Sequence, residues 1–146
     1  MKFRKPLLTR LLSLVLLTLM LSSFCCATVQ SSDYLDAYAV IATAGSGGLI
    51  YIDVDVDAIG DMTMLGVTDL FLYESTDGVH FTQVKHYNYL DYPVMMGSGW
   101  HHCRNIDTYE GIIGRYYYVA GYIYAANSTG SDSRYDSSPT VRGKIF

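Results

Sequence analysis

Cysteine and basic residues are scarce in this chain of 146 residues, and each scarcity excludes a class of protein. Three cysteines are present, two of them adjacent at Cys25 and Cys26, which excludes a disulfide-rich scaffold. The 10 basic side chains are outnumbered by 14 acidic ones, and this balance argues against binding to nucleic acid. Glutamate is nearly absent after the N-terminal segment, whereas tyrosine is abundant there. The length allows one small domain.

The N-terminal segment has the pattern of an export signal. A basic head precedes an apolar stretch of 11 residues, Leu11–Leu21, which is shorter than the roughly 20 residues that a membrane-spanning helix needs. Small residues then place a cleavage site between Ala27 and Thr28. The sequence therefore predicts a signal peptide over 1–27, a short lead over 28–33 and a secreted domain over 34–146.

The alternative is a lipoprotein signal, in which Cys25 or Cys26 is acylated and anchors the protein. Without lipidation, we expect no membrane association and an extracellular protein, free or attached to the cell surface. Removal of residues 1–27 takes away four basic side chains and no acidic one, which leaves a net charge of −8. The partners we expect are an extracellular protein or a glycan, and no cofactor.

The rest of the chain has the composition of β-strands, with many Tyr, Val, Ile and Thr residues. Short alternating segments lie between clusters of Gly, Asp, Asn and Ser, which is typical of an all-β sandwich. We predict an antiparallel, immunoglobulin-like or fibronectin III-like β-sandwich. Its seven predicted strands are 34–43, 49–57, 67–73, 80–87, 100–109, 115–126 and 140–146. A polar hairpin loop is predicted over Asn127–Ser138, an irregular segment over Tyr89–Gly99, and a hairpin turn at Asp77-Gly78.

Two resemblances accompany this pattern. The segment Tyr109–Tyr118, with Gly111 and Gly114, resembles the turn into the sixth strand of fibronectin III domains, where a tyrosine hydroxyl ties the corner to the backbone. The motifs Tyr73–Gly78 and Tyr92–Gly97, in their order along the chain, are similar to a family of small exported proteins of Gram-positive, clostridia-like bacteria. That family is defined only as a domain of unknown function. The resemblance implies export and a β-sandwich, and no site residues.

Carboxylates alternate along one predicted strand. Asp53, Asp55 and Asp57 share a face of the segment 49–57, and Asp61 follows. An EF-hand loop beginning at Asp53 is excluded, since its sixth and twelfth positions lack the required Gly and Glu. We expect a solvated acidic face, and the alternative is a loop-assisted calcium site formed by these four aspartates.

Metal-type ligands also occur together at 101–103. In a strand, His101 and Cys103 point to one side and His102 to the other, so only two ligands converge, and a closed zinc site would need His80 or His86 as well. We therefore expect surface histidines beside Cys103. That cysteine is expected to be buried as a small apolar residue, the alternative being pairing between molecules.

The strand 115–126 carries a stripe of tyrosines. Its Val119 and Ile123 face is the predicted core, which leaves four tyrosines on the outer face, joined by Tyr73 from a neighbouring strand. The predicted binding face is Tyr116, Tyr118, Tyr122, Tyr124 and Tyr73. Exposed tyrosines stack on sugars or anchor protein partners, and the alternative is that these rings pack against one another across strands.

The sequence contains no motif of nucleophilic catalysis, since it has no Gly-x-Ser-x-Gly elbow and no phosphate-binding loop before a helix. We predict a non-catalytic binding or surface-associated structural module. One alternative is a carbohydrate-binding module that uses the tyrosine-lined face, and another is a small secreted enzyme whose site is assembled from loop aspartates.

Overall fold

The computed structural model describes residues 32–146. The predicted signal peptide, the cleavage site at Ala27 and Thr28, and the two cysteines at 25 and 26 lie outside the described residues. Between residues 32 and 146, no helix has the length and apolar character needed to cross a membrane.

Seven antiparallel strands form one hydrogen-bonded sheet, which confirms the predicted all-β class. The strands are β1 (Leu35–Ala44), β2 (Leu49–Ser75), β3 (Thr82–Asn88), β4 (Met96–Glu110), β5 (Tyr116–Asn127), β6 (Gly130–Ser137) and β7 (Val141–Arg142). Two short 3-10 turns, Ser46–Gly48 and Pro93–Met95, precede β2 and β4. The Asp77-Gly78 turn joins β2 and β3, and Gly78 has the positive φ (76°) that such a turn requires.

Strand β2 organises the sheet, because four other strands pair with it. Its first half pairs with β1 and β4, and its second half pairs with β5 and β3. The sequence predicted two strands here, 49–57 and 67–73, with a loop between them, and that prediction is wrong. Met62, Leu65 and Gly66 pair with β4 on one side, and Met64–Gly66 with β5 on the other. The glycines of this stretch therefore lie within a continuous strand, whose pairing with β4 shifts register between Asp57 and Leu65. Gly66 has φ 154°, and its Cα faces the Met95 carbonyl oxygen so closely that no side chain fits.

The predicted loop over Asn127–Ser138 is also wrong, because most of it is β6. Its sequence has no apolar stripe, so no periodicity distinguishes it from a loop. Strand β6 pairs along its whole length with β5, from Asn127↔Gly130 to Ala120↔Ser137. A polar edge strand of this kind is set by its hydrogen-bonding neighbour and not by its own composition. The predicted closing strand 140–146 is reduced to Val141–Arg142.

The core follows the predicted alternation. On residues 49–57 of β2, the buried side chains are the even-numbered Ile50, Ile52, Val54 and Val56. On β5, Val119 and Ile123 are fully buried, as predicted for that face. Other buried side chains of the core include Leu65, Leu70, Leu72, Tyr87, Met95, Tyr117 and Ala125.

Polar contacts connect strands that are not neighbours in the sheet. Between β3 and β4, Asp107 accepts hydrogen bonds from Lys85 Nζ (2.7 Å) and from the hydroxyl of buried Tyr87 (2.8 Å). Between β1 and β6, the Val40 amide donates to Asp136 Oδ2 (3.0 Å). The first contact joins β4, which pairs with the first half of β2, to β3, which pairs with its second half. The second contact joins β1, which also pairs with the first half, to β6, which pairs with β5.

The corner before β5 is tied by one tyrosine. The Tyr117 hydroxyl accepts a hydrogen bond from the Ile112 amide (2.8 Å) and donates one to Glu74 Oε2 (2.5 Å). Arg115 forms an ion pair with the same carboxylate. Burial, followed by the Glu74 carboxylate, raises the pKa of Tyr117 to about 12, so the hydroxyl stays protonated as a donor. The predicted contact between a tyrosine hydroxyl and the corner backbone is therefore present, and it belongs to Tyr117.

The substitution Tyr117→Phe tests this corner. It leaves the ring in the core but removes the hydroxyl, so the Ile112 amide and Glu74 each lose a partner. We expect the free energy of unfolding to fall by about 1–3 kcal/mol, measured by urea denaturation. Tyr122→Phe, at an exposed ring of the same strand, is the matched control and should change it by less than about 0.5 kcal/mol. Equal effects of the two substitutions would contradict this role.

The contact between β3 and β4 predicts an acid dependence of stability. Burial alone would raise the pKa of Asp107, but the hydrogen bonds from Lys85 and Tyr87 outweigh it and hold this pKa below its ordinary 3.8. The stabilisation is therefore present above the unfolded-state pKa and is lost as the pH falls through the lower folded-state pKa. Asp107→Asn should flatten the decline in unfolding free energy between neutral pH and pH 2, measured by urea denaturation at each pH. Asp61→Asn, at an exposed aspartate of β2, should leave that decline unchanged.

Candidate functional site

The outer face of β3, the second half of β2, β5 and β6 carries a group of aromatic residues that includes Phe71, Tyr73 and Tyr122, and we call it the aromatic face. Because side chains alternate along β5, all four predicted tyrosines lie on the side opposite to Val119 and Ile123. They differ in accessibility. Tyr122 is 46% exposed, and the other three are half-buried.

One end of the aromatic face is packed against itself. The rings of Tyr73 and Tyr118 are nearly parallel, with centroids 4.7 Å apart, and Phe81 meets Tyr118 edge-on at 4.8 Å. Burial raises the pKa of the Tyr118 hydroxyl. At this end the cross-strand packing alternative describes the rings better than an open platform does. Tyr116 is also partly covered, since the Arg142 guanidinium lies 5.3 Å from its ring centre.

The other end is open and contains an aromatic residue that the sequence did not predict. Tyr135 on β6 lies directly opposite Tyr122 and is 57% exposed. The two rings form an edge-to-face pair with centroids 5.3 Å apart. Tyr135 was missed because its segment was predicted to be a loop. The sequence does contain a signal for this strand: Ser131, Ser133 and Ser137 lie two residues apart from one another or from Tyr135, with larger charged residues between them. This period of two is typical of a strand.

A polar network adjoins this tyrosine pair. Asp69 lies opposite Tyr122 on β2 and accepts hydrogen bonds from His86 Nε2 (2.8 Å) and Asn88 Nδ2 (2.9 Å). Burial would raise the pKa of Asp69, but these hydrogen bonds lower it overall, so the carboxylate is ionised at neutral pH. The register thus aligns Asn88, Asp69, Tyr122 and Tyr135 across four neighbouring strands. We call this set the Tyr122 row. It spans three strand spacings, or about 14 Å.

The packing of His86 holds one flank of this row in place. Its ring stacks on Phe71, with centroids 4.6 Å apart and planes 9° from parallel. Phe71 in turn meets Tyr122 edge-on at 6.5 Å. The exposed tyrosine is therefore fixed by neighbours on both sides, and little side-chain entropy would be lost when a ligand binds to it.

A second cluster lies on the first half of β2, where β4 is its partner. The register places Asp55 opposite Cys103 and Asp57 opposite His101. One ligand atom from each of Asp55, His101 and Cys103 lies within 4.8 Å of the others. Within residues 32–146, this is the one group of three or more metal-type ligands that converge.

Two expectations about residues 101–103 need correction. Cys103 is exposed, not buried. His102 takes the inner side of β4 instead, where its Nε2–H donates to the Val94 carbonyl oxygen (3.1 Å) and burial lowers its pKa. Gly97 leaves room for that ring, since a Cβ there would lie 2.5 Å from His102 Nδ1. Neither His80 nor His86 joins the cluster, because they bind Asp77 and Asp69.

The four candidate calcium ligands do not come together as one group. Asp53 accepts a hydrogen bond from Asn105 Nδ2 (2.9 Å), and Asp57 accepts one from His101 Nδ1 (2.6 Å). Asp61 is exposed and lies beyond the register shift that follows Asp57. Asp55 instead shares its surroundings with His101 and Cys103. A calcium site formed by these aspartates stays a prediction.

Comparison of the chain with models of protein families, with curated proteins and with solved structures returned no match. The function is therefore argued from the two clusters themselves.

Proposed function

We propose that the protein is an exported, non-catalytic β-sandwich module that binds a carbohydrate through the Tyr122 row. The observation that carries this proposal is the pair Tyr122 and Tyr135, exposed side by side and adjoining the ionised Asp69. A sugar ring has an apolar C–H face and a rim of hydroxyls. Its face stacks on aromatic rings, and its hydroxyls pair with carboxylate and amide groups, so the row offers both kinds of contact.

The geometry of the tyrosine pair suits such a ligand. In an edge-to-face pair only one ring has a face covered by the other, so ring faces stay accessible to a ligand. The packed end at Tyr73 and Tyr118 lacks this property, since each ring covers a face of its partner. We therefore place the site at the Tyr122 end of the aromatic face, with Tyr73 and Tyr118 as its support.

The proposed sandwich is supported by the pairing of β2 with two different groups of strands. Its halves belong to two strand groups, and Lys85–Asp107 and Val40–Asp136 connect these groups at both edges. The Tyr117 contact with the corner backbone is a feature of immunoglobulin-like domains and favours that topology. The resemblance to the exported clostridial family agrees with this interpretation.

Export is supported by the N-terminal pattern that ends at Ala27, and it places the module outside the cell, free or at the cell surface. The net charge of −8 after removal of residues 1–27 favours a neutral ligand over a nucleic acid or an anionic lipid surface.

A glycan array with the purified protein, followed by calorimetry with the glycans that bind, tests the proposal. The double variant Tyr122→Ala/Tyr135→Ala should weaken binding at least tenfold, because both ring faces are lost. Asp69→Asn should weaken it less, through the hydroxyl contacts. Tyr51→Ala, at an exposed tyrosine on the first half of β2, is the matched control and should bind like the unmodified protein.

Thermal unfolding of each variant is the control that tests whether the fold is kept. An array without bound glycans would contradict the carbohydrate proposal, as would equal affinity of the double variant. If a protein is captured and its binding depends on Tyr122 and Tyr135, the row is a protein-binding surface and the carbohydrate assignment is wrong.

A further inference from the structure

We propose that Asp55, His101 and Cys103 form a binding site for a divalent transition metal, of which Zn²⁺ fits best. This site is separate from the Tyr122 row, since it lies on the first half of β2 and on β4. It requires neither a carbohydrate nor any other organic ligand, so the two proposals can fail independently.

The register brings the three ligands together. In an antiparallel pair, side chains directly opposite each other lie on the same face, so Asp55 meets Cys103, and His101 projects two residues away beside Asp57. Three atoms no more than 4.8 Å apart have a common point within about 2.8 Å of each, which exceeds usual zinc–ligand distances of about 2.0–2.3 Å by about 0.5–0.8 Å. A small rotation of each side chain closes this gap.

Asp57 holds His101 beside Asp55 in the absence of a metal. His101 Nδ1 donates to Asp57 Oδ1 at 2.6 Å and lies 3.7 Å from Asp55 Oδ1, so Nδ1 is the nitrogen that faces both carboxylates. A metal bound at Nδ1 replaces the proton that Asp57 accepts, and that proton passes through solvent to Nε2. Asp57 is therefore the hydrogen-bond partner that the metal displaces.

Asp55 has a carboxylate oxygen without a hydrogen-bond partner at the same place. Its Oδ1 is the one side-chain oxygen or nitrogen in residues 32–146 that is buried without a hydrogen-bond partner. His101 Nδ1 lies 3.7 Å from it, beyond hydrogen-bonding distance. The Asp55 side chain as a whole is 47% exposed, but Oδ1 itself has no donor to pair with, so its lone pairs are free to bind a cation.

The site also has access and room. Cys103 is exposed, and on the other side β1 places Ala37 and Ala39 opposite Asp57 and Asp55. These small side chains leave a depression of about 140 Å³ lined by Ala37, Tyr38, Ala39, Asp55 and Asp57. His101 and Cys103 do not line this depression, which reaches the site through Asp55, and a water molecule on that side can complete a four-coordinate site with three protein ligands.

The ligand set selects the kind of metal. A thiolate and an imidazole favour zinc and similar borderline ions over calcium and magnesium, which prefer oxygen ligands alone. On binding, the Cys103 thiol releases its proton to solvent and its sulfur forms the bond to the metal. The carboxylate and the thiolate together balance the two positive charges of the ion.

The test is a titration of the reduced, purified protein with Zn²⁺ by competition against a chromophoric chelator, and with Co²⁺ by absorption spectroscopy. We expect one equivalent of metal and, with Co²⁺, the thiolate charge-transfer band and the visible bands of a four-coordinate ion. Trp100, the only tryptophan of the chain, lies beside His101 with ring centroids 5.5 Å apart. Its fluorescence should therefore change on binding.

Substitutions assign the ligands. Cys103→Ser, His101→Gln and Asp55→Asn should each weaken Zn²⁺ binding at least 100-fold, and Cys103→Ser should also abolish the charge-transfer band. Asp57→Asn should not weaken binding, because the hydrogen bond from His101 Nδ1 to Asp57 is lost when the metal binds. Asp91→Asn, at an exposed aspartate outside β2 and β4, is the matched control and should bind as the unmodified protein does. Circular dichroism confirms that each variant is folded.

Two results would overturn the proposal. One is equal Zn²⁺ affinity of the unmodified protein and Cys103→Ser, which would assign the metal to other ligands. The other is binding of Ca²⁺ but not Zn²⁺, lost in variants of Asp53 or Asp61, which would establish the calcium site that the sequence suggested.

Discussion

The continuity of β2 is the constraint on which the rest of the structure depends. This strand of 27 residues pairs with β1 and β4 along its first half and with β5 and β3 along its second half. Its buried residues, from Ile50 to Leu72, supply the centre of the core for both halves. At Gly66, where a side chain would strike the Met95 carbonyl oxygen, the strand pairs with both β4 and β5.

Both candidate sites are products of strand register. Asp55 meets Cys103 in the pairing of β2 with β4, and Tyr122 meets Tyr135 in the pairing of β5 with β6. A slip of one residue would turn one strand's side chains to the other face of the sheet, so that Asp55 would no longer meet Cys103, or Tyr122 would no longer meet Tyr135. The core opposes such a slip, because it would expose Val54 or Ile123. The hydrophobic face therefore stabilises the arrangement of polar groups on the outside.

Much of the sheet was predictable, because alternation of apolar and polar residues is a local signal. The bounds of β1 and β5 were predicted within one residue, and so was the buried face of β5. The prediction failed where pairing, and not composition, decides the conformation. Strand β6 has no apolar stripe. Residues 58–66 of β2 include Gly60 and Gly66, and glycines at this spacing are typical of a loop. In both places the hydrogen bonds come from neighbouring strands.

The sequence by itself determined the strand-rich class, the acidic charge and the sides on which His101, Cys103 and the four tyrosines of β5 point, since these follow from composition and a period of two. Only the tertiary structure decided that Asp55 joins His101 and Cys103, that Tyr135 joins Tyr122, and that Cys103 is exposed. These pairs are separated by 13 to 48 residues, and no local pattern encodes the register between strands. That register results from the packing of one core shared by all the strands that pair with β2.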